Sequence, residues 1–241
     1  RRRYPSERSS VSRNLDIPDE RFVLSDMSDL DVLVKAMRDI DIVVHMAADP
    51  RADAPWESVL HSNIVGTRNV FEAARICGVE RVIYASSIMV SWGYFADEPY
   101  TSIFDGRYDT LTTEDIPIVT HEMPTRPTAL YPASKVWGEA MARVCADMHG
   151  LSVICLRIGW VNDEDYPHTF GWARAGWCSK RDIVQLTQRA IEASADLRFD
   201  IFYGLSDNTW NWADIQHAKD VLGYAPQDSA EERLENRKEE Q

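Results

Sequence analysis

Short β-branched apolar runs recur along this chain, each followed by a stretch with helical spacing, and no other feature constrains its fold as tightly. "DIVVHM" (41–46), "RVIYAS" (81–86), "LSVICLR" (151–157) and "FDIFYG" (199–204) have the length and composition of strands buried on both faces. "RFVLS" (21–25) reads as one more. Ser28 offers an N-cap with Asp31 three residues on, and Leu30, Leu33, Val34 and Met37 fall at i, i+3, i+4 and i+7 of the helix that follows. A longer helical pattern runs from Trp56 to Cys77, with Gly78 placed to end it. Further helices are expected to open at Tyr131, to span Lys180 to Ala193 and to span Trp212 to Leu222. Strands alternating with helices build a parallel sheet covered on both faces, a doubly wound Rossmann-like α/β fold that binds ligands at the carboxyl ends of its strands.

The 241 residues suffice for one well-buried core with an elaboration. A net charge of −13 argues against a nucleic-acid surface. No apolar run approaches the roughly 20 residues that span a bilayer, so no membrane partner is expected. Cys77, Cys145, Cys155 and Cys178 are irregularly spaced with no C-x-x-C pair, so neither a metal site nor a disulfide framework is expected, and a reducing cytoplasm is the default compartment. Acidity combined with 21 Arg against 5 Lys fits adaptation to high salt and compositional drift equally well. Residues 1–20 are polar and aperiodic and read as a loop or disordered terminus, and the tail "EERLENRKEEQ" (231–241) reads as a solvated charge run.

Within "YPASKVWGEA" (131–140), Tyr131 and Lys135 stand four residues apart and so share one helix face. An ammonium beside a phenol favours the phenolate and draws its pKa down from about 10, which would make the tyrosine a usable general acid/base. The spacing alone recurs on many helices, and its meaning depends on what the strands deliver to the same edge. Asp26 follows "FVLS" and suits either an adenine amino group or a helix start. Ala47 and Ala48 after the second run allow close ligand approach or ordinary packing. Ser87 ends the third, as a partner for a substrate oxygen or as a turn residue. Asn63, a poor helix former inside a helix, would hold a water or a carbonyl, or face solvent.

Taken in order, "SDMSD" (25–29), "HMAAD" (45–49), "NIVGTRNVFEAA" (63–74), "RVIYASS" (81–87), "YPASK" (131–135) and "LRIG" (156–159) resemble the extended short-chain dehydrogenases/reductases, the NAD-dependent epimerase/dehydratase family. "DPRADAPWESVLHSNIVGT" (49–67), "WCSKRD" (177–182), "FYGLSDN" (202–208) and "VLGYAPQDSAEE" (221–232) are similar to uronate dehydrogenases and to the NAD-dependent glucose-6-phosphate dehydrogenases of salt-loving archaea. The resemblance implies a catalytic set of Ser87, Tyr131, Lys135 and Asn63. It implies NAD held by Asp26, Met27, Met46, Ala47, Ala48, Asn63, Tyr131, Lys135, Ile158 and Gly159. It implies a small-molecule sugar substrate against Ser87, Ile88, Met89, Tyr131, Trp160 and Arg174. A homodimer through the helix after Asn63 and the Tyr131 helix is implied as well. By the same matching, residues 21–159 form the cofactor-binding core and 160–241 a small C-terminal substrate-binding part with a returning strand and helix.

Two departures from the family pattern stand out. Its opening strand and G-x-x-G-x-x-G loop, whose backbone amides cradle the cofactor pyrophosphate, have no counterpart, so the fold is expected to be N-terminally truncated. Apolar Ile88, Met89 and Trp160 occupy positions where uronate dehydrogenases carry polar groups, and the aromatic stretch "SWGYFADEPY" (91–100) offers either a stacking wall or loop packing. The expected chemistry is oxidation of a ring hydroxyl to a lactone by a Ser-Tyr-Lys mechanism. Ile88-Met89 disfavours a 4,6-dehydratase, which needs an Asp-Glu pair there. A nucleotide-sugar epimerase with the same triad and a non-catalytic binding module are the alternatives.

Overall fold

In a computed structural model, which describes residues 21–239, four strands form one parallel sheet in the order β1-β2-β3-β4. They are β1 (Ile42–His45), β2 (Arg81–Ser87), β3 (Ser152–Ile158) and β4 (Phe199–Gly204). Arg81 stands opposite both Ile42 and Ser152, and Val153 opposite Phe199, so the carboxyl ends fall together along one edge. The expected loop over residues 1–20 lies outside the described residues.

Successive strand side chains point to opposite faces, and both faces of β2 and β3 are covered, while Val44 of β1 is exposed. On one, Val82, Tyr84, Val153 and Cys155 pack against α3 (Gly66–Cys77) and α5 (Leu130–His149) through Phe71, Ala74, Ala142 and Cys145. On the other, Ile83, Ile154, Leu156 and Phe202 pack against α6 (Lys180–Glu192) and α7 (Gln216–Leu222) through Leu186, Ala190, Ala218 and Leu222. This double burial is why the strands read as unbroken apolar runs. A third cluster, rich in aromatics, joins the segments that follow β2 and β4: Tyr94, Phe95, Tyr100, Ile103 and Trp212.

The structure corrects several sequence expectations. Residues 22–25 carry no strand, and Val23 and Leu24 are exposed; a strand exists only through its ladder, and the described sheet begins at β1. Helix α1 (Leu30–Ala36) is capped by Asp29, whose carboxylate accepts from the Val32 amide, while Ser28 donates its hydroxyl to Asp26. The long helix after β1 has three parts: α2 (Trp56–Ser58), a π-helical stretch Val59–Val65 and α3, which ends at Gly78 with φ 70° as expected. Helix α7 starts at Gln216, four residues later than expected, because the Asp214 carboxylate takes the amides of Gln216 and His217. Beyond α4 (Tyr100–Asp105) the largest correction is the tail. Residues Ala230–Glu239 form helix α8, docked by the buried side chains of Ala230 and Leu234 one turn apart and by Arg233 on Asp228.

His45, at the end of β1, is buried with Nε2 3.0 Å from Thr67 Oγ1. Burial, aided by the charge of Lys135, pushes its pKa down to about 3. The unfolded chain therefore binds a proton at His45 below about pH 6.5 that the folded chain refuses, so stability falls as pH drops through that window. At pH 5 the loss is about 2 kcal/mol relative to pH 8. Thermal unfolding of the His45→Gln variant should lack this component between pH 5 and 6.5; an unchanged pH dependence would show that His45 carries none of it.

Candidate active site

Ser87 closes β2 opposite Ile158, and Ile158 stands opposite Gly204, so three strand ends meet at one level. Buried Ser87 accepts the Met89 amide at 3.2 Å, which starts the 3₁₀ stretch Ile88–Ala96. Arg126 then zips the approach to α5 onto that stretch: its amide donates to the Val90 carbonyl (2.8 Å) and its carbonyl accepts from Gly93 (2.7 Å). This lock sets the start of α5 beside β2, with Tyr131 close enough to Ser87 for the serine to pull its phenol pKa down.

Lys135, one turn further along α5, is buried and donates from Nζ to the Ala85 carbonyl at 2.6 Å. Its Nζ lies 5.7 Å from the centroid of the Tyr131 ring and 5.1 Å from that of Tyr84. Burial pushes the Lys135 pKa down to about 8, against the opposing charges of Cys155 and Glu139. The phenol of Tyr131 is pushed up by burial, with nearby Ser87 pulling the other way. The expected downward pull of the ammonium on the phenol is not realised in this state: Lys135 donates to the Ala85 carbonyl, and burial governs the phenol.

Asn63 falls in the π-helical stretch and is buried. It faces neither solvent nor a lone carbonyl but clamps both backbone groups of Asp49: Oδ1 accepts the amide at 2.7 Å and Nδ2 donates to the carbonyl at 3.1 Å. The same Nδ2 donates to Ser134 Oγ (3.0 Å), whose hydroxyl reaches the Tyr131 carbonyl at 2.6 Å. One amide side chain therefore ties the loop after β1 to the first turn of α5. Ser134 escaped the sequence reading, although it lies between Tyr131 and Lys135.

Asp26, Met27, Met46, Ala47 and Ala48 line a single cleft of about 520 Å³, joined there by Asp49, Arg51 and Ser62. The volume lies in the range of small-molecule and cofactor sites. Asp26 Oδ1 accepts the amide and the hydroxyl of Ser28. Asp49 is gripped by Arg51 at 3.0 and 2.7 Å and by the Ser58 hydroxyl, and these bonds hold it well below the usual carboxylate range. Gly159 donates to the Gly204 carbonyl at 2.8 Å, and a Cβ there would stand 2.5 Å from Leu205 Cδ2 and 2.7 Å from the Gly176 carbonyl. The β3 and β4 ends can approach this closely only with glycine at 159.

On the other side of Ser87, Ile88 is buried in the aromatic cluster and Met89 packs against it. Trp160 meets Trp172 edge-on (5.3 Å between centroids) and neighbours His168 (5.2 Å), while Trp92 meets Trp172 at 5.0 Å. An aromatic wall does exist, and three separate chain segments build it. Arg174 lies over the Tyr108 ring (4.7 Å) and reaches Glu231 of α8 at 3.4 Å. Sequence reasoning also missed the buried ion pair beneath the site. Glu139 accepts from Arg157 Nε and Nη2 (both 2.9 Å) and from the Ser86 hydroxyl (2.6 Å), and Arg157 Nη1 donates to Tyr203 (2.9 Å). Its one legible sign was an arginine inside an apolar strand.

Residues 2–161 match the NAD dependent epimerase/dehydratase family. The NAD-dependent glucose-6-phosphate dehydrogenase of Haloferax volcanii is 36% identical over 87% of this chain and 76% of its own length. The L-arabinose 1-dehydrogenase (NAD(P)(+)) of the same organism is 35% identical over 86% of this chain and 82% of its own. Among solved structures, a mutant uronate dehydrogenase from Agrobacterium tumefaciens complexed with NAD superposes with a TM-score of 0.72 at 28% identity, over 90% of this chain and 72% of that one. A family match across more than half of the sequence, joined by relatives above 30% identity over most of their length, leaves one conclusion: the chain belongs to the NAD-dependent epimerase/dehydratase family.

Proposed function

We propose that this chain oxidises a sugar or sugar derivative at a ring hydroxyl, C1 of a uronate, aldose or sugar phosphate, to the lactone. The observation that carries the reading is the placement of buried Ser87 at the end of β2 close to buried Tyr131 at the start of α5, with Lys135 Nζ 5.7 Å from the Tyr131 ring centroid. Relatives named as glucose-6-phosphate, L-arabinose 1- and uronate dehydrogenases support the substrate class. NAD fits the residues present: the cleft has room for part of a dinucleotide, and exposed Ala47 and half-buried Ala48 let it approach the backbone. Asp26, Met27, Met46, Ala47 and Ala48 would hold it on one side, and Ile158 and Gly159 at the β3 end on the other. NAD, when bound, supplies the acceptor for the hydride that leaves the sugar carbon.

The chain's own groups handle the proton and the position of the substrate. Ser87 holds the sugar hydroxyl by hydrogen bonding, and Tyr131 takes its proton as general base. Tyr131 does this as the phenolate and becomes the phenol; Lys135 stabilises that phenolate form by charge, an effect that grows in a site closed to water. Asn63 acts through Asp49 and Ser134 as a positioning residue. Ile88, Met89, Trp160 and Arg174 are assigned to the substrate side, where the tryptophans offer flat surface to a sugar ring. Residues 21–159 supply the cofactor core and 160–241 the substrate part. All four cysteines are free thiols, in keeping with a reducing cytoplasm. Product analysis by NMR tests the regiochemistry: C1 oxidation gives a lactone, and a keto sugar oxidised elsewhere on the ring would overturn it.

A further inference from the structure

We propose that His121, Asp200 and His217 form a binding site for a divalent transition-metal ion, zinc by its donor set, at the outer edge of the sheet. The three residues come from separate elements: the segment before α5, strand β4 and helix α7. His217 Nε2 lies 3.0 Å from each Asp200 carboxylate oxygen, and His121 Nε2 lies 4.0 Å from Oδ1. All three donor atoms fall within 4.8 Å of one another. Nothing in the proposed sugar chemistry uses them.

The surroundings hold these donors in place. The His217 ring is stacked between Phe202 (4.8 Å) and His121 (4.2 Å), and its backbone amide is tied to Asp214. The segment bearing His121 is pinned two residues earlier, where the Val119 amide donates to the Trp212 carbonyl at 2.8 Å and the Val119 carbonyl accepts from Asp214 at 3.0 Å.

Two imidazole nitrogens and one carboxylate oxygen make a borderline-soft set that suits zinc, with a fourth position left for water. The histidine side chains are 23% and 24% exposed, so that position opens toward solvent. Ligands on a tetrahedral zinc stand about 3.3 Å apart. Asp200 and His217 already meet that spacing, whereas the His121 ring, 4.0 Å from Asp200 and stacked 16° from parallel with His217, has to turn out of the stack so that both imidazole lone pairs converge on the ion. The bound ion would fasten the segment leading to Tyr131 onto β4 and α7.

The test is calorimetric titration of the chelator-treated full chain with zinc chloride, alongside His121→Ala and Asp200→Asn. The expected result is one equivalent bound with micromolar affinity, weakened at least tenfold in each variant. Cobalt substitution should give visible d–d bands that vanish in His121→Ala, a change confined to a partly exposed side chain that leaves the core packing intact. Absence of zinc binding by the wild-type chain overturns the proposal. So does binding of undiminished affinity in both variants, which would place the ion elsewhere, for instance at half-buried Cys77.

Discussion

The Tyr131→Phe variant is expected to bind NAD⁺ as the parent chain does and to lose between about a hundredfold and ten-thousandfold in kcat, the usual worth of a positioned general base. The change removes one oxygen. Phenylalanine keeps the ring that is buried at the start of α5, so packing is preserved. Lys135 keeps its bond to the Ala85 carbonyl, and Asn63 keeps its clamp on Asp49. Tyr131 is not among the residues that line the cofactor cleft. What disappears is the acceptor for the substrate proton. Because the loss is confined to the chemical step, kcat should fall while the NAD⁺ dissociation constant stays within about twofold. Retained turnover in Tyr131→Phe would remove Tyr131 from the mechanism.

The second large effect is on stability. Glu139→Ala is expected to destabilise the fold by about 3–5 kcal/mol, because it strands the Arg157 guanidinium in the interior. The pair is nearly dry, with side-chain exposures of 2% for Arg157 and 6% for Glu139. Burial by itself would lower the arginine pKa, and the two hydrogen bonds to Glu139 more than offset that. The carboxylate also receives the Ser86 hydroxyl next to Ser87, so its loss loosens the end of β2 as well. For a chain of this length the cost corresponds to a fall in melting temperature of about 10 °C. A double variant, Glu139→Leu with Arg157→Met, should recover much of it, since two matched apolar groups leave no charge behind. Thermal unfolding checks both; a Glu139→Ala melting temperature within about 2 °C of the parent would show that the pair is well solvated.

The fold was legible because its strands are buried on both faces. Runs such as "RVIYAS" and "LSVICLR" have no polar side to hide, and the helices between them fixed the parallel connection. Strand-end residues followed from the topology, and Asp26, Met27, Met46, Ala47 and Ala48 do meet in one cleft. Elements that depend on a neighbour were not legible. Residues 22–25 have strand composition but no ladder in the described sheet, and the α8 stretch looks like a solvated tail until Ala230 and Leu234 find their pocket. The misfit of Asn63 in a helix pointed to its bond with a backbone carbonyl, but the π-helical turn that lets it take the Asp49 amide as well carries no compositional mark. Spacing placed Lys135 beside Tyr131 but could not weigh burial against charge, and burial is the larger effect on both residues. The partners of Glu139 and His217 come from strands and loops distant in sequence, beyond the reach of any local pattern.

The central claim is sugar oxidation coupled to NAD, and the most direct measurement is NADH formation. The chain is mixed with NAD⁺ and a panel of uronates, aldoses and sugar phosphates, and absorbance of the reduced cofactor is followed alongside calorimetric NAD⁺ binding. The account predicts sustained NADH release with at least one member of the panel, abolished by Tyr131→Phe. NAD⁺ bound by a folded chain that reduces none of it with any sugar would contradict the account and leave a cofactor-binding module without dehydrogenase chemistry.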